Sequence, residues 1–428
     1  MRRRLISAFL LALVAAGAFQ VNSGVPLQKQ LNTGGGEQSH MSALQRAESL
    51  GAARALAFRN RAARRRAVGE WPARKRGCPL WPGARFTDAE RERSIERGMR
   101  FVYRTARSRV NFSDYGSDYV WWFGAVSHTV RDERLRRLAR GMALECARRW
   151  RAAHHTLPPD ADAETVAEFV SGGDAAESLG LGDERLKEQL RRAASRFSAR
   201  DYLAFDPLTE PPPADVPDEC EYDGASDNPR GARRCHVCKR PLTMRTRFDV
   251  WYDALITAHT GDHYGVRLGA HYADVLKWLP VLRPYSVSGR GTDAEFMDAV
   301  YSVTHVVYTL NDYWTYRLNP QLLPREYAFL RAGLPEAINV RDADMLGEIM
   351  DSLKSFGLDD SDPLIRKGTQ FLLVHQNRDG SWGDVRDETY DRYHATETAV
   401  NGLCEYAARG EGLSFPELEP LLRRWAQE

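Results

Sequence analysis

The segment Phe371-Leu-Leu-Val-His-Gln-Asn-Arg-Asp-Gly-Ser-Trp-Gly383, followed by Tyr393-His394-Ala-Thr-Glu397, constrains the fold more than any other part of this chain. An apolar-periodic run ends near Gln376, a glycine-bearing turn follows, and a second helical run begins within a dozen residues, which predicts a tight helical hairpin. The pattern recurs upstream. Ile95-Glu-Arg-Gly98-Met-Arg-Phe101 and Ile365-Arg-Lys-Gly368-Thr-Gln-Phe371 share I-x-[RK]-G-x-x-F, with apolar side chains on one helix face and a glycine that lets another helix approach. A degenerate counterpart of the turn is Leu255 to Gly265, where an acid, an aromatic and a final glycine recur before the next helix. Paired helices that repeat bury their faces only by stacking on neighbours, so a closed or continuous array is expected. No block alternates with period two, and the predicted class is all-α.

Gln376-Asn-Arg-Asp-Gly380-Ser-Trp382 matches the Q-x-x-x-G-x-W repeat motif of the squalene and hopene cyclases. The hairpin around it resembles the repeat of the β subunits of protein prenyltransferases. Asp391-Arg-Tyr393-His394 resembles the stretch in which those prenyltransferases place a histidine on catalytic zinc. The likeness is clear over about residues 362–410 and faint over 95–315; it implies an α/α toroid, a barrel of helical hairpins, without carrying the reaction with it. The departures are specific. No D-x-D-D acid motif is present, and its nearest counterpart, Asp160-Ala-Asp162-Ala, follows two prolines. Asp359-Asp360-Ser-Asp362-Pro363 is too short for the D-D-x-x-D magnesium motif and reads as a helix cap followed by proline in the first turn. The paired Asp and Cys of the prenyltransferase zinc site have no clear equivalent. Acid-driven terpene or lipid cyclisation therefore stands as the alternative, not the leading expectation.

The N-terminus carries an address. Arg2, Arg3 and Arg4 precede an apolar run from Leu5 to Phe19, and Ala16-Gly17-Ala18 offers a cleavage site, so residues 1–24 read as a signal peptide or anchor and the protein as exported. Residues 25–86 form a basic leader without a sustained apolar face, with Arg61, Arg64, Arg65 and Arg66 at its centre. Residues 87–428 are expected to be one toroid domain, opened by a capping box at Thr87 and Glu90 and interrupted over about 207–241 by a Pro- and Gly-rich, Cys-containing insertion. A net charge of +2 argues against nucleic acid as a partner, and membrane contact is expected only through residues 5–19. The six cysteines, Cys78, Cys146, Cys220, Cys235, Cys238 and Cys404, are an even number in an exported chain, which favours disulfides. The alternative is a zinc site through Cys220, Cys235, His236 and Cys238, resting on a single CxxC.

Chemistry is expected from histidines at matching repeat positions. His271 and His394 each precede an acid at i+3, Asp274 and Glu397, and His305 is followed by Asp312 two turns on, so each pair shares a helix face. His259, Asp262 and His263 form an H-x-x-D-H cluster just ahead of His271. If these helices line one cavity, His259, His271, His305 and His394 are candidate ligands for a divalent transition metal such as zinc, iron or copper, with Asp262, His263, Asp312 and Glu397 as candidate proton-transfer groups. The expected activity is metal-dependent, through activated water or dioxygen, on a small apolar or peptide-like substrate. A non-catalytic binding toroid is the further alternative. Tyr119, Trp121, Trp122, Tyr308 and Trp314 read as core or cavity lining, His375 reads as structural, and His128, His154 and His155, without an acid at chelating distance, are assigned no role. No nucleophile elbow, phosphate-binding glycine loop, HExxH or dinucleotide fingerprint is visible.

Overall fold

Residues 86–286 and 294–428 are described by a computed structural model. The expected signal segment, nearly all of the basic leader and Cys78 lie outside the described residues. Within them the all-α expectation holds: helices dominate, and β-structure is limited to isolated bridges. None of these helices is long and apolar enough to cross a membrane.

The first helix, α1 (Asp88–Arg107), begins where the sequence predicts, with Thr87 and Glu90 closing a reciprocal capping box. It buries Ile95, Met99 and Val102 on one face, and Gly98 sits against Val400 and Trp382, where a Cβ would be 2.5 Å from the valine side chain. Next come α2 (Arg109–Thr129), α3 (Glu133–Ala153), α4 (Ala163–Ser178), α5 (Glu184–Ala194) and the short α6 (Ala199–Leu203). Beyond the irregular segment 204–246 lie α7 (Arg247–Tyr264), α8 (Tyr272–Leu276), α9 (Leu279–Leu282), α10 (Ala294–Leu310), α11 (Pro324–Val340), α12 (Ala343–Ser355), α13 (Pro363–His375), α14 (Thr389–Leu403) and α15 (Glu419–Gln427).

Two kinds of helix alternate through much of this order. The helix α5 is amphipathic, burying Leu186, Leu190 and Ala193 at helical spacing and exposing its charged face. By contrast, every residue of α12 is buried, its acids included. The buried helices pack side by side in one direction. Between α7 and α10, Thr246 Oγ1 donates to the Asp298 carboxylate near both starts, while His259 meets Tyr313 toward both ends. Between α10 and α12, Tyr301 pairs with Asp344 at the start and Asn311 with Ser355 at the end. Thr398 bonds Asp344, and Lys354 bonds the Cys404 carbonyl, which sets α12 parallel to α14. Tyr393 with Asp118, then Trp122 with Asn401, do the same for α14 and α2. Ser117 with Glu168, and Gly124 against Leu179, continue the series from α2 to α4.

The motif residues prove to be architectural. Trp382 is fully buried and its indole N–H donates to the Leu372 carbonyl. Gln376 donates to the carbonyls of Ser94 and Gly380, tying this turn to α1, and Gly380 has φ +97° with the Arg97 carbonyl 2.5 Å from where a Cβ would lie. Asp362 caps α13 with Pro363 in the first turn, as expected. His375 bonds the Phe371 carbonyl and stacks on its ring, and His154 bonds the Trp150 carbonyl.

The disulfide expectation is corrected. All five described cysteines are free, and the 204–246 segment is held by backbone bonds such as Asp218 to Thr243 and Arg245 to Val216. Cys146 lies buried on α3 and Cys404 at the end of α14, each enclosed by helix packing, and among the described residues neither has a sulfur partner.

Candidate metal centre

Two parallel helices bring a histidine and two carboxylates together. Asp344 and Glu348 stand one turn apart on α12, and His394 enters from the first turns of α14; one ligand-capable atom from each lies within 4.8 Å of the others. His394 Nδ1 is 3.0 Å from Asp344 Oδ1, and its ring stacks on Tyr390. Asp344 also accepts from the hydroxyls of Tyr301 and Thr398, at 3.0 and 2.9 Å, and Glu348 accepts from Thr304 at 2.5 Å. The two carboxylates are almost fully enclosed, while His394 keeps about a quarter of its side chain open, which gives the cluster a solvent-facing side.

His305 flanks the same pair of acids from α10. Its Nδ1 is 2.6 Å from the Tyr301 carbonyl and 3.9 Å from Glu348 Oε2, and the ring stacks on Tyr252. A bond from Nδ1–H to a carbonyl sets the tautomer that leaves Nε2 as the lone-pair nitrogen.

Glu397, one turn beyond His394, faces inward between α14 and α2. Its carboxyl is buried, Oε1 has no hydrogen-bond partner, and burial, reinforced by Asp118 and Asp344, pushes its pKa far above the usual carboxylate range. The enclosure therefore favours the neutral acid over the carboxylate. The hydroxyls of Tyr115 and Tyr119 on α2 are likewise buried without partners, and Tyr115 sits at a non-helical kink inside that helix. Their rings pack on Tyr393, whose own hydroxyl donates to Asp118. Glu397, Tyr115 and Tyr119 thus place three enclosed polar atoms without a protein partner in one region.

The remaining predicted residues gather elsewhere. Asp312 lies beyond the end of α10, seven residues past His305, roughly 10 Å along a helix. It stands 3.9 Å from His263 Nε2, while His263 Nδ1 is 2.7 Å from Asp174; the Asp174 carboxylate raises the His263 pKa to about 9. His271 caps α8, is more than half exposed, and pairs through Nδ1 with Asp262 at 2.9 Å. His259 is buried among Tyr272, Tyr313 and Phe415, and burial lowers its pKa to about 3, so it stays neutral. The expected convergence of His259, His271, His305 and His394 is thus split: His305 and His394 share the α12 acids, and the other two belong to the far end of α7. The separation follows from helix phase, because His271 precedes a short helix after α7, whereas His394 lies within the second turn of α14.

Asp344 and Glu348 were not among the expected site residues. Their signal was present as acids four residues apart between Met, Leu and Ile, but that spacing on its own describes a solvated helix face. No protein-family model, curated protein or solved structure matches the chain. What the site can do follows from its own residues.

Proposed function

We propose that this protein is an exported, metal-dependent enzyme in which the parallel buried helices close into an α/α toroid and Asp344, Glu348 and His394 hold a divalent cation, with His305 as an adjacent ligand. The observation that carries this reading is the pair of enclosed carboxylates meeting an imidazole at chelating distance. Two acids so placed repel each other unless a positive charge stands between them. The mixed nitrogen and oxygen donor set suits zinc, iron or manganese. His394 is also the residue that the prenyltransferase likeness relates to a zinc-binding histidine, and Asp344 supplies the acid that the sequence did not reveal.

A cation there would supply Lewis acidity toward water or an oxygen-bearing group of the substrate. The protein's own residues divide the rest of the work. Tyr301, Thr304 and Thr398 fix the carboxylates by hydrogen bonds. Glu397, whose neutral form burial favours, is placed to deliver a proton, and Tyr115, Tyr119 and Tyr393 set aromatic rings beside it, the first two with unpaired hydroxyls and the third donating to Asp118. Such a lining favours a small, largely apolar substrate carrying one polar group.

A second reading has its own support. Asp351 is enclosed beside Trp314, Tyr308 and Tyr406; burial raises its pKa to about 7, and Oδ1 lacks a partner. An acid in an aromatic setting is what proton-driven cyclisation uses. Metal analysis of the purified full chain separates the two. The metal reading expects Asp344→Asn/His394→Ala to lose one equivalent of bound cation with its helical circular dichroism intact, and Asp351→Asn to keep it. Unchanged metal content in the double variant would refute the metal reading.

A further inference from the structure

The insertion between α6 and α7 holds a second cluster, unrelated to the histidine site. Cys220 Sγ and Cys238 Sγ are 3.5 Å apart, Cys235 Sγ is 3.3 Å from the Asp223 carboxylate, and all four groups offer ligand atoms within 4.8 Å of one another. Four donors around tetrahedral zinc, with sulfur at about 2.3 Å from the metal, have edges of about 3.8 Å. A disulfide needs sulfurs about 2.05 Å apart.

The backbone repeats itself around these side chains. Cys220-Glu-Tyr-Asp223-Gly224 and Cys235-His-Val-Cys238-Lys239 each turn so that the last residue adopts positive φ, 76° at Gly224 and 63° at Lys239. In both, that residue's N–H bonds the carbonyl of the first cysteine, at 2.8 and 3.0 Å. Amide groups also face the sulfurs: Val237 N–H donates to Cys235 Sγ at 3.3 Å, Tyr222 and Asp223 to Cys220, and Arg240 to Cys238. Backbone amides placed in this way are donors to the sulfur of a metal-bound thiolate. Cys220-x-x-Asp223 is therefore the structural twin of Cys235-x-x-Cys238, a correspondence hidden from sequence because an aspartate stands where a fourth cysteine is expected. His236, the residue named at first, turns aside to Asn228 and Asp227.

Packing alone gives this lobe little support. From Glu221 to Pro241 only Asn228 and Cys235 are buried, Tyr222 and Val237 lie exposed, and no helix forms. So long an irregular stretch without a core usually depends on a staple. We propose that Cys220, Asp223, Cys235 and Cys238 bind one structural zinc-class cation that locks the insertion ahead of α7. The four anionic donors supply the ligand charge, and binding releases the thiol protons to solvent.

Cobalt substitution of the full chain tests this directly. Thiolate-to-cobalt charge transfer in the near ultraviolet, with the visible bands of tetrahedral cobalt, is expected, and the Asp344/Glu348/His394 site cannot produce that charge transfer because it has no sulfur. Cys238→Ser should abolish the band with loss of one equivalent of metal, while Asp223→Cys should retain tetrahedral cobalt and bind it more tightly. Chelation should speed tryptic cleavage after Arg230, Arg233 or Arg234 by roughly tenfold or more. A native cobalt-loaded chain without thiolate charge transfer, or a Cys220–Cys238 disulfide found in the unreduced chain by mass spectrometry, overturns the proposal. Neither result depends on a variant that folds.

Discussion

Single side chains in this protein carry charge states set by their surroundings, and two of them translate into pH behaviour. His263 is raised to about 9 beside Asp174, from an unfolded value near 6.5. Folded-state preference for the proton means that its contribution is complete below about pH 6.5 and is lost as pH rises through about 9. Because 44% of the side chain is exposed, screening holds that contribution to no more than about 1 kcal/mol. Denaturant titrations at pH 6 and pH 9.5 should show this decline in native protein and not in Asp174→Asn. Glu397 works in the opposite sense. Its elevated pKa makes the folded state resist ionisation, so it costs stability increasingly as pH rises above its unfolded value near 4.5. Glu397→Gln, neutral at every pH, is expected to gain stability over the native chain as pH rises above about 4.5, by up to about 1.4 kcal/mol per unit until the folded-state carboxyl ionises, while turnover falls once a substrate is in hand. A thermal melt series that shows no pH-dependent gap between the two proteins would remove the case for a protonated Glu397. His394 and Glu397 were legible from the sequence because a repeat singled them out. Asp344 was not, since its importance depends on the burial of the helix that bears it.

That helix, α12, decides the geometry of the centre. Gly347 lies where α12 meets α14 backbone to backbone: a Cβ there would stand 2.3 Å from the Thr398 carbonyl oxygen, and Gly402 faces Gly347 from the other side. Gly347→Ala has no flexible side chain to displace. It should cost about 3 kcal/mol or more, and by parting α12 from α14 it should weaken metal binding even where the fold survives. Gly141→Ala, at an exposed site on α3 with open space around it, is the matched control and should instead stabilise by about 0.5–1 kcal/mol. Chemical denaturation of the two variants checks both signs. The hairpin of α13 and α14 could be read in advance because its turn glycines, its buried tryptophan and its helical periodicity all agree. The sorting of helices into buried and outer sets could not. The sequence Asp344-Met-Leu-Gly-Glu348-Ile-Met-Asp351 has the polar stripe of a surface helix, and only neighbours on every side turn that stripe into the lining of an interior.

Across the whole molecule, the first helix is completed by the last hairpin. Arg91 on α1 reaches Asp360 and Glu405, Ser94 bonds Gln376, and Gly98 receives Val400 and Trp382. Contacts between residues about 270 or more positions apart make the fold a high contact-order one. A chain ended at Ser355 should therefore lose cooperative unfolding throughout, not only locally. Hydrogen exchange on the intact protein should show α1 and α14 opening together at the global free energy. Independent opening of α1 would break that coupling. During synthesis the same seam has a temporal meaning. Gly98 leaves the ribosome roughly 290 residues before Trp382 and Val400, which close on it, a delay of roughly 15–60 s at ordinary elongation rates. For that interval the Gly98 face of α1 stands without its partner, and a chaperone guarding this nascent chain should be found there first.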